Sequence, residues 1–167
     1  MADTYASALS PQRAFAFLSG QGLAVISTVS KRGDPEAALI NYAVTNDLEL
    51  IFETLQTSRK YANLVHNPRA ALVIGGEDGG RGFYETCQYE GIVDRPDEFA
   101  LEPYLETYFA ARPEGREHRG WPDLVYLRIR PTWIRISNYS RDWKVEELDW
   151  RDRASQIRLS GLPFPSH

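Results

Sequence analysis

The sequence predicts a mainly β fold: a largely antiparallel sheet with a few helices confined to connections. Three observations carry that prediction. Apolar, β-branched runs of strand length recur along the chain, and most are separated by short turn signals rich in Gly, Asn and Asp. The regular strand–helix alternation that builds a parallel doubly wound sheet is missing. Closure of such a sheet into a small barrel would remove its edges.

Taken in order, Ser10-Pro11 has the form of an N-cap followed by proline at the first helical position. Ala14, Phe15, Phe17 and Leu18 then place an apolar stripe on a short helix that Gly20 and Gly22 close. Leu23–Val29, bounded by Gly22 and Lys31-Arg32-Gly33-Asp34, reads as a strand, and residues 35–45 as its hairpin partner. After the Asn46-Asp47 turn, residues 48–54 form a third strand, with Glu49 and Glu53 set between Leu48, Leu50 and Phe52. Residues 58–66 fit a short helix with Tyr61, Leu64 and Val65 at helical spacing. Asn67-Pro68 stops it, because a residue before proline is pushed out of the helical region.

Residues 70–74 make a fourth strand, Gly75 to Gly80 a glycine-rich loop, and residues 82–93 a long fifth strand. Pro96-Asp97-Glu98 opens a helix running to Ala111, which Pro103 is expected to kink or split. The polar stretch 112–122 is a loop. Residues 124–129 and 132–136 form the sixth strand, bulged or bent at Pro131, and residues 143–148 a last one. With 167 residues and no dividing linker, the chain reads as a single domain, its core about 11–148 and its tail 149–167.

Composition narrows the function classes. A net charge of −4 argues against a nucleic-acid module, and no nucleic-acid partner is expected. The single cysteine, Cys87, excludes an intramolecular disulfide and a cysteine-based zinc site. Met1-Ala2-Asp3-Thr4-Tyr5 lacks the basic and apolar regions of a secretory signal, and no apolar window is long enough to cross a bilayer. A cytoplasmic protein without membrane contact is the expectation. No His/Asp/Glu spacing supports a metal site. His66 reads as a helix C-terminal residue, His118 as part of a polar loop, and Cys87 as a small strand residue. Trp121, Trp133 and Trp143 read as barrel or dimer packing.

The most informative stretch is Phe52-Glu53-Thr54-Leu55-Gln56-Thr57-Ser58-Arg59-Lys60. A strand-like run ends in hydroxyls, and two adjacent cations follow at the start of a helix. Ser58 or Thr57 can cap that helix while the cations stay solvated. Yet cations in a first helical turn oppose the helix dipole, and an anionic ligand would resolve the conflict. Arg59 would then grip it bidentately, with Lys60 as a point charge and the helix N–H groups completing a phosphate cradle.

Phe-x-Thr-x-x-x-Ser-Arg-Lys, a short helix, Asn67-Pro68-Arg69 and another apolar strand together resemble the pyridoxamine 5′-phosphate oxidase-related flavin proteins. The resemblance resumes at Gly120-Trp121-Pro122-Asp123-Leu124-Val125-Tyr126 and at Arg130-Pro131-Thr132-Trp133-Ile134-Arg135. It implies a six-stranded antiparallel split β-barrel, paired into a homodimer that holds FMN in grooves between the subunits. It maps Thr54, Ser58, Arg59 and Lys60 onto phosphate contacts. Ala38, Leu39, Ile40 and Asn41 map onto the strand along the flavin, contributing largely backbone groups, and Thr86 and Gln88 onto a polar contact to the cofactor.

Departures from the pattern are equally specific. Ala38 and Ala43 stand where the oxidases begin and end the flavin-side strand with arginine and lysine, and Arg13 or another basic residue is the candidate replacement. The C-terminal Arg-x-His substrate signature is replaced by Ser137-Asn138-Tyr139-Ser140-Arg141-Asp142-Trp143-Lys144. The resemblance therefore implies an FMN-dependent oxidoreductase of open substrate, with a nicotinamide reductant as one partner, rather than a pyridoxamine-phosphate oxidase. The alternative is a non-catalytic flavin or haem carrier or sensor on the same scaffold.

Overall fold

Strict alternation of buried and exposed side chains sets the two faces of the sheet in the computed structural model, which describes residues 6–76, 84–139 and 143–151. The elements in chain order are β1 (Ala6–Ala8), α1 (Pro11–Ser19), β2 (Leu23–Val29), β3 (Pro35–Asn41), β4 (Ala43–Val44), β5 (Leu50–Leu55) and α2 (Arg59–His66). β6 (Arg69–Gly75), β7 (Glu85–Asp94), α3 (Glu98–Ala111), a 3₁₀ turn (Pro113–His118), β8 (Leu124–Asn138) and β9 (Lys144–Asp149) follow. In β2 and β6 every second residue is buried, the signature of strands with one face on a core.

The strands form one nine-stranded sheet with the order β1-β9-β8-β7-β6-β2-β3, while β5 pairs with β4 and β8. The pairs are antiparallel except β1 with β9. β8 is long enough to pair β5 along its first half and β9 along its second. A hydrogen-bonded path therefore runs β5-β8-β7-β6-β2-β3 and stops, because no ladder joins β3 to β5. The closed barrel is thus not reached: the sheet is open at this point, and α2 packs across β2 and β3 beside it.

Several local expectations change. Residues 35–45 are two strands, not one. Tyr42 interrupts them, its backbone N–H donating to the Gly22 carbonyl and its hydroxyl to the Leu18 carbonyl at 2.8 Å. Pro103 does not split α3, which is continuous; the carbonyl it leaves without a donor belongs to Phe99, 95% exposed. At Pro131 β8 stays one strand. The irregularity is a bulge that places Thr132 between the partners of Glu90 and Gly91. The loop residues 77–80, the start of the predicted fifth strand at 82–83, residues 140–142 and the tail from 152 lie outside the described residues.

One core fills the space enclosed by the sheet, built on Phe17, Leu18, Ile26, Leu50, Phe52, Leu72, Cys87 and Tyr89. A smaller one, with Ala43, Ile51, Leu105, Tyr108, Phe109 and Tyr126, lies under α3. β5 separates them, sending Phe52 and Thr54 to one side and Ile51 and Glu53 to the other. Cys87 is fully buried and burial pushes its thiol up to about 12, in line with the small strand residue that the sequence predicts. Among the described residues no helix is long and apolar enough to cross a membrane.

The Tyr89 hydroxyl is buried between two carbonyls, Leu48 O at 2.9 Å and Ile129 O at 3.0 Å, and so ties the β4–β5 turn to β8. Tyr89→Phe removes their shared donor and is expected to cost about 1–3 kcal/mol, read as a lower midpoint in urea with an unchanged slope.

Candidate functional site

β5 delivers Thr54, only 6% exposed, to the open side of the sheet. A turn follows, closed by Ser58 N–H to Leu55 O at 3.0 Å and by Gln56 N–H to Asp123 O at 2.8 Å. Ser58 takes extended backbone angles and caps α2, its hydroxyl accepting from Tyr61 N–H at 3.3 Å. Of the two capping candidates, Ser58 is therefore the cap. The same hydroxyl lies 3.0 Å from Thr54 Oγ1, to which Lys60 Nζ donates at 3.3 Å.

Ser58, Arg59 and Lys60 line a pocket of about 160 Å³ together with Thr28, Glu36, Ala37 and Ala38. The first turn of α2 holds no acidic residue, so two cations meet the positive end of the helix dipole. Lys60 is half-buried and burial lowers its pKa; among the described residues no carboxylate lies within 4.0 Å of it. A cation partly stripped of water and lacking an ion-pair partner is what a bound anion offsets. The donor set of hydroxyls, one ammonium and one guanidinium fits a phosphate ester. A larger groove of about 550 Å³, lined by Thr28, Val29, Pro35, Ala70, Glu90 and Arg151 among others, adjoins this pocket at Thr28.

Arg59 is extended into solvent, its side chain 83% exposed, with Nη1 at 3.4 Å from Glu36 Oε1. Glu36 Oε2 accepts from Asn63 Nδ2 at 3.0 Å, and the same amide donates to the buried Thr28 Oγ1 at 3.0 Å. Sequence reasoning missed Glu36, Asn63 and Thr28. The signal was available on β3, where Glu36 lies in phase with the inward Ala38 and Ile40. On α2 the helical spacing pointed to Val65, which is exposed, whereas Asn63 is buried.

The predicted site residues are not all brought together within one chain. Ala38 joins Ser58, Arg59 and Lys60 at the pocket, and Thr54 lies behind them. Ile40 is buried in the core, so only its backbone is available, at the last strand of the sheet order. Leu39 and Asn41 point to the opposite face. Thr86 and Gln88 occupy that outer face on β7, where Val73 pairs with Gln88 and Gly75 with Thr86. Ala43 is buried in the smaller core. Arg13 does not replace the missing cations at the pocket: it is engaged by Glu85 and, at 3.9 Å, by Glu146.

The other candidates resolve plainly. His66 is exposed in the last turn of α2. His118 is not a free loop residue: its Nδ1 lies 2.8 Å from Glu53 Oε1 and its ring 4.4 Å from that of Trp121. Trp121 and Trp143 are exposed in the single chain, while Trp133 is half-buried beneath the Arg151 guanidinium. Among the described residues no group of His, Cys, Asp and Glu forms a metal centre.

The family described as pyridoxamine 5′-phosphate oxidase matches residues 10–138. A pyridoxine/pyridoxamine 5′-phosphate oxidase of Bordetella avium is 26% identical over 138 residues, covering 83% of this chain and 55% of its own length. One from Burkholderia mallei is 28% identical over 96 residues, covering 58% and 41% respectively. The chain thus spans about half the length of the curated relatives it matches. Among solved structures, a haem-binding protein from Mycobacterium smegmatis superposes with a TM-score of 0.72 at 16% identity, covering 88% of this chain and 61% of that one. A FAD-binding protein from Mesorhizobium loti gives 0.65 at 16% identity, with 79% and 96% covered. These structural likenesses establish a shared fold.

Ser58→Ala removes both the cap of α2 and the hydroxyl that faces Thr54. It is expected to cost about 1 kcal/mol, seen as a lowered melting temperature, whereas Thr57→Ala leaves stability within about 0.5 kcal/mol of the parent.

Proposed function

We propose a function from one premise: this chain belongs to the pyridoxamine 5′-phosphate oxidase family, whose match spans residues 10–138. Within that family we read it as an FMN-binding, flavin-dependent oxidoreductase with an open substrate. The observation that carries this reading is the cradle itself, where Thr54, Ser58 and Lys60 are linked by hydrogen bonds at a helix start that has cations and no acid. A flavin phosphate seated there would be held by Ser58, Arg59 and Lys60. The unpaired edge of β3, at Ala38, Leu39, Ile40 and Asn41, offers backbone donors and acceptors along the sheet opening. When bound, the flavin supplies the electron chemistry, and the protein's part is to position the ring and exclude water from it.

The outer face supports reading the protein as a homodimer. Leu39, Val25 and Val73 stand in register across β3, β2 and β6, and they are 64%, 41% and 51% exposed. Gln88 continues the same row on β7. An apolar row of this kind is suited to a second copy of the chain. Thr86 and Gln88 lie apart from the cradle in a single chain, and on this reading they would serve the site of the other protomer. The expected compartment is the cytoplasm, where the single buried thiol of Cys87 needs no partner.

The carrier or sensor reading is favoured by one feature: a carboxylate, Glu36, lies inside the cradle while Ala38 supplies no charge. Reduction kinetics separate the two readings. Anaerobic mixing with NADH or NADPH, followed by air, gives bleaching and recovery of the flavin band if the protein is an oxidoreductase. A stable oxidised spectrum with every nicotinamide favours the carrier.

The purified protein is expected to be yellow and to release FMN on denaturation. Arg59→Ala with Lys60→Ala is expected to lose most of that flavin, a drop of about 100-fold or more in affinity for two charge-assisted contacts. Protein that is colourless and takes up no added FMN contradicts the flavin reading. In sedimentation, the parent is expected to run as a dimer and Leu39→Asp with Val73→Asp as a monomer.

A further inference from the structure

We propose that Glu36 sets the phosphate charge this cradle accepts, acting as a resident counter-anion that weakens doubly charged phosphate monoesters. The inference rests on the flavin-phosphate reading above and deepens it.

Glu36 is placed there by the fold. It is the second residue of β3, opposite Thr28 in the register, and faces inward with Ala38 and Ile40. Its side chain is 22% exposed, and one oxygen is fixed by Asn63 Nδ2 at 3.0 Å while the other faces Arg59 at 3.4 Å. Asn63 is itself anchored by Thr28 Oγ1 at 3.0 Å, so the carboxylate cannot simply swing out of the pocket without breaking a buried polar chain. Thr28, Glu36, Ser58, Arg59 and Lys60 line the same pocket. An incoming phosphate therefore meets two cations and one fixed carboxylate, a net single positive charge.

A phosphate monoester carries about −1.5 to −2 charge at pH 7. That exceeds the charge of the cradle, and part of the attraction of Arg59 is already directed at Glu36. A singly charged phosphate, such as each group of a diphosphate diester, matches the cradle better. The consequence is a muted preference for FMN over FAD and over riboflavin, set by one side chain. The inward cation that Ala38 lacks would have tipped the balance the other way.

The test measures dissociation constants of FMN, FAD and riboflavin, by flavin fluorescence quenching, for the parent protein and for Glu36→Gln. Glutamine keeps an acceptor for Asn63 and removes the charge, and thermal melting checks that the fold is retained. Glu36→Gln is expected to bind FMN about tenfold more tightly and FAD only about threefold more tightly, with riboflavin changed by less than about twofold. Adding Arg59→Ala to Glu36→Gln is expected to erase the gain for FMN. FMN affinity that is unchanged or weaker in Glu36→Gln, in a protein that binds FMN, overturns this inference alone. Failure of both proteins to bind any of the three flavins overturns the flavin reading and this inference with it.

Discussion

The structure depends on how the opening between β3 and β5 is bridged. No backbone ladder joins these strands, yet they border the same core, and polar groups left there must find partners. α2 supplies them through side chains. Asn63 binds Thr28 of β2 and Glu36 of β3, while Ser58 and Lys60 reach Thr54 of β5. The helix therefore does with an amide, a hydroxyl and an ammonium what a strand pair would do with its backbone. The same arrangement puts a helix start, two hydroxyls and two cations at one opening of the sheet, so the feature that holds the fold together there also makes the candidate anion site.

Charge refines that picture. Arg59 and Lys60 are adjacent in sequence but differ in surroundings. Arg59 is largely in water and faces Glu36 across 3.4 Å, an arrangement worth little to stability by itself. Lys60 is partly desolvated and donates to a neutral hydroxyl. Among the described residues, the cation without a carboxylate within 4.0 Å is the half-buried one, and this asymmetry is what an anionic ligand would relieve. The flavin phosphate proposed above is such an anion, and Glu36 is the carboxylate it would meet in the pocket.

Much of the sheet was legible because period-two alternation and turn residues are local signals. The Leu23–Val29 strand, the α1 cap at Ser10 and the stop at Asn67-Pro68 follow from neighbours in sequence. The cradle was legible for the same reason, since Thr54, Ser58, Arg59 and Lys60 lie within a single strand–turn–helix unit. What escaped depends on partners distant in sequence. Tyr42 breaks its strand because its hydroxyl finds Leu18 O, and Asn63 is buried instead of Val65 because Thr28 and Glu36 await it. His118 pairs with Glu53 across 65 positions, a contact that only the packing of the 3₁₀ turn onto β5 creates. Arg13, a plausible stand-in for the missing flavin-side cations, is engaged instead by acids of β7 and β9.

We propose that the cradle recognises the phosphate end of a flavin. Titration calorimetry of the parent protein with FMN and with riboflavin isolates that end, because the two ligands share the ring and the ribityl chain. Binding of FMN is expected to be tighter than that of riboflavin by about tenfold or more, with the difference shrinking as salt rises. Equal affinity for the two ligands at low salt would contradict it.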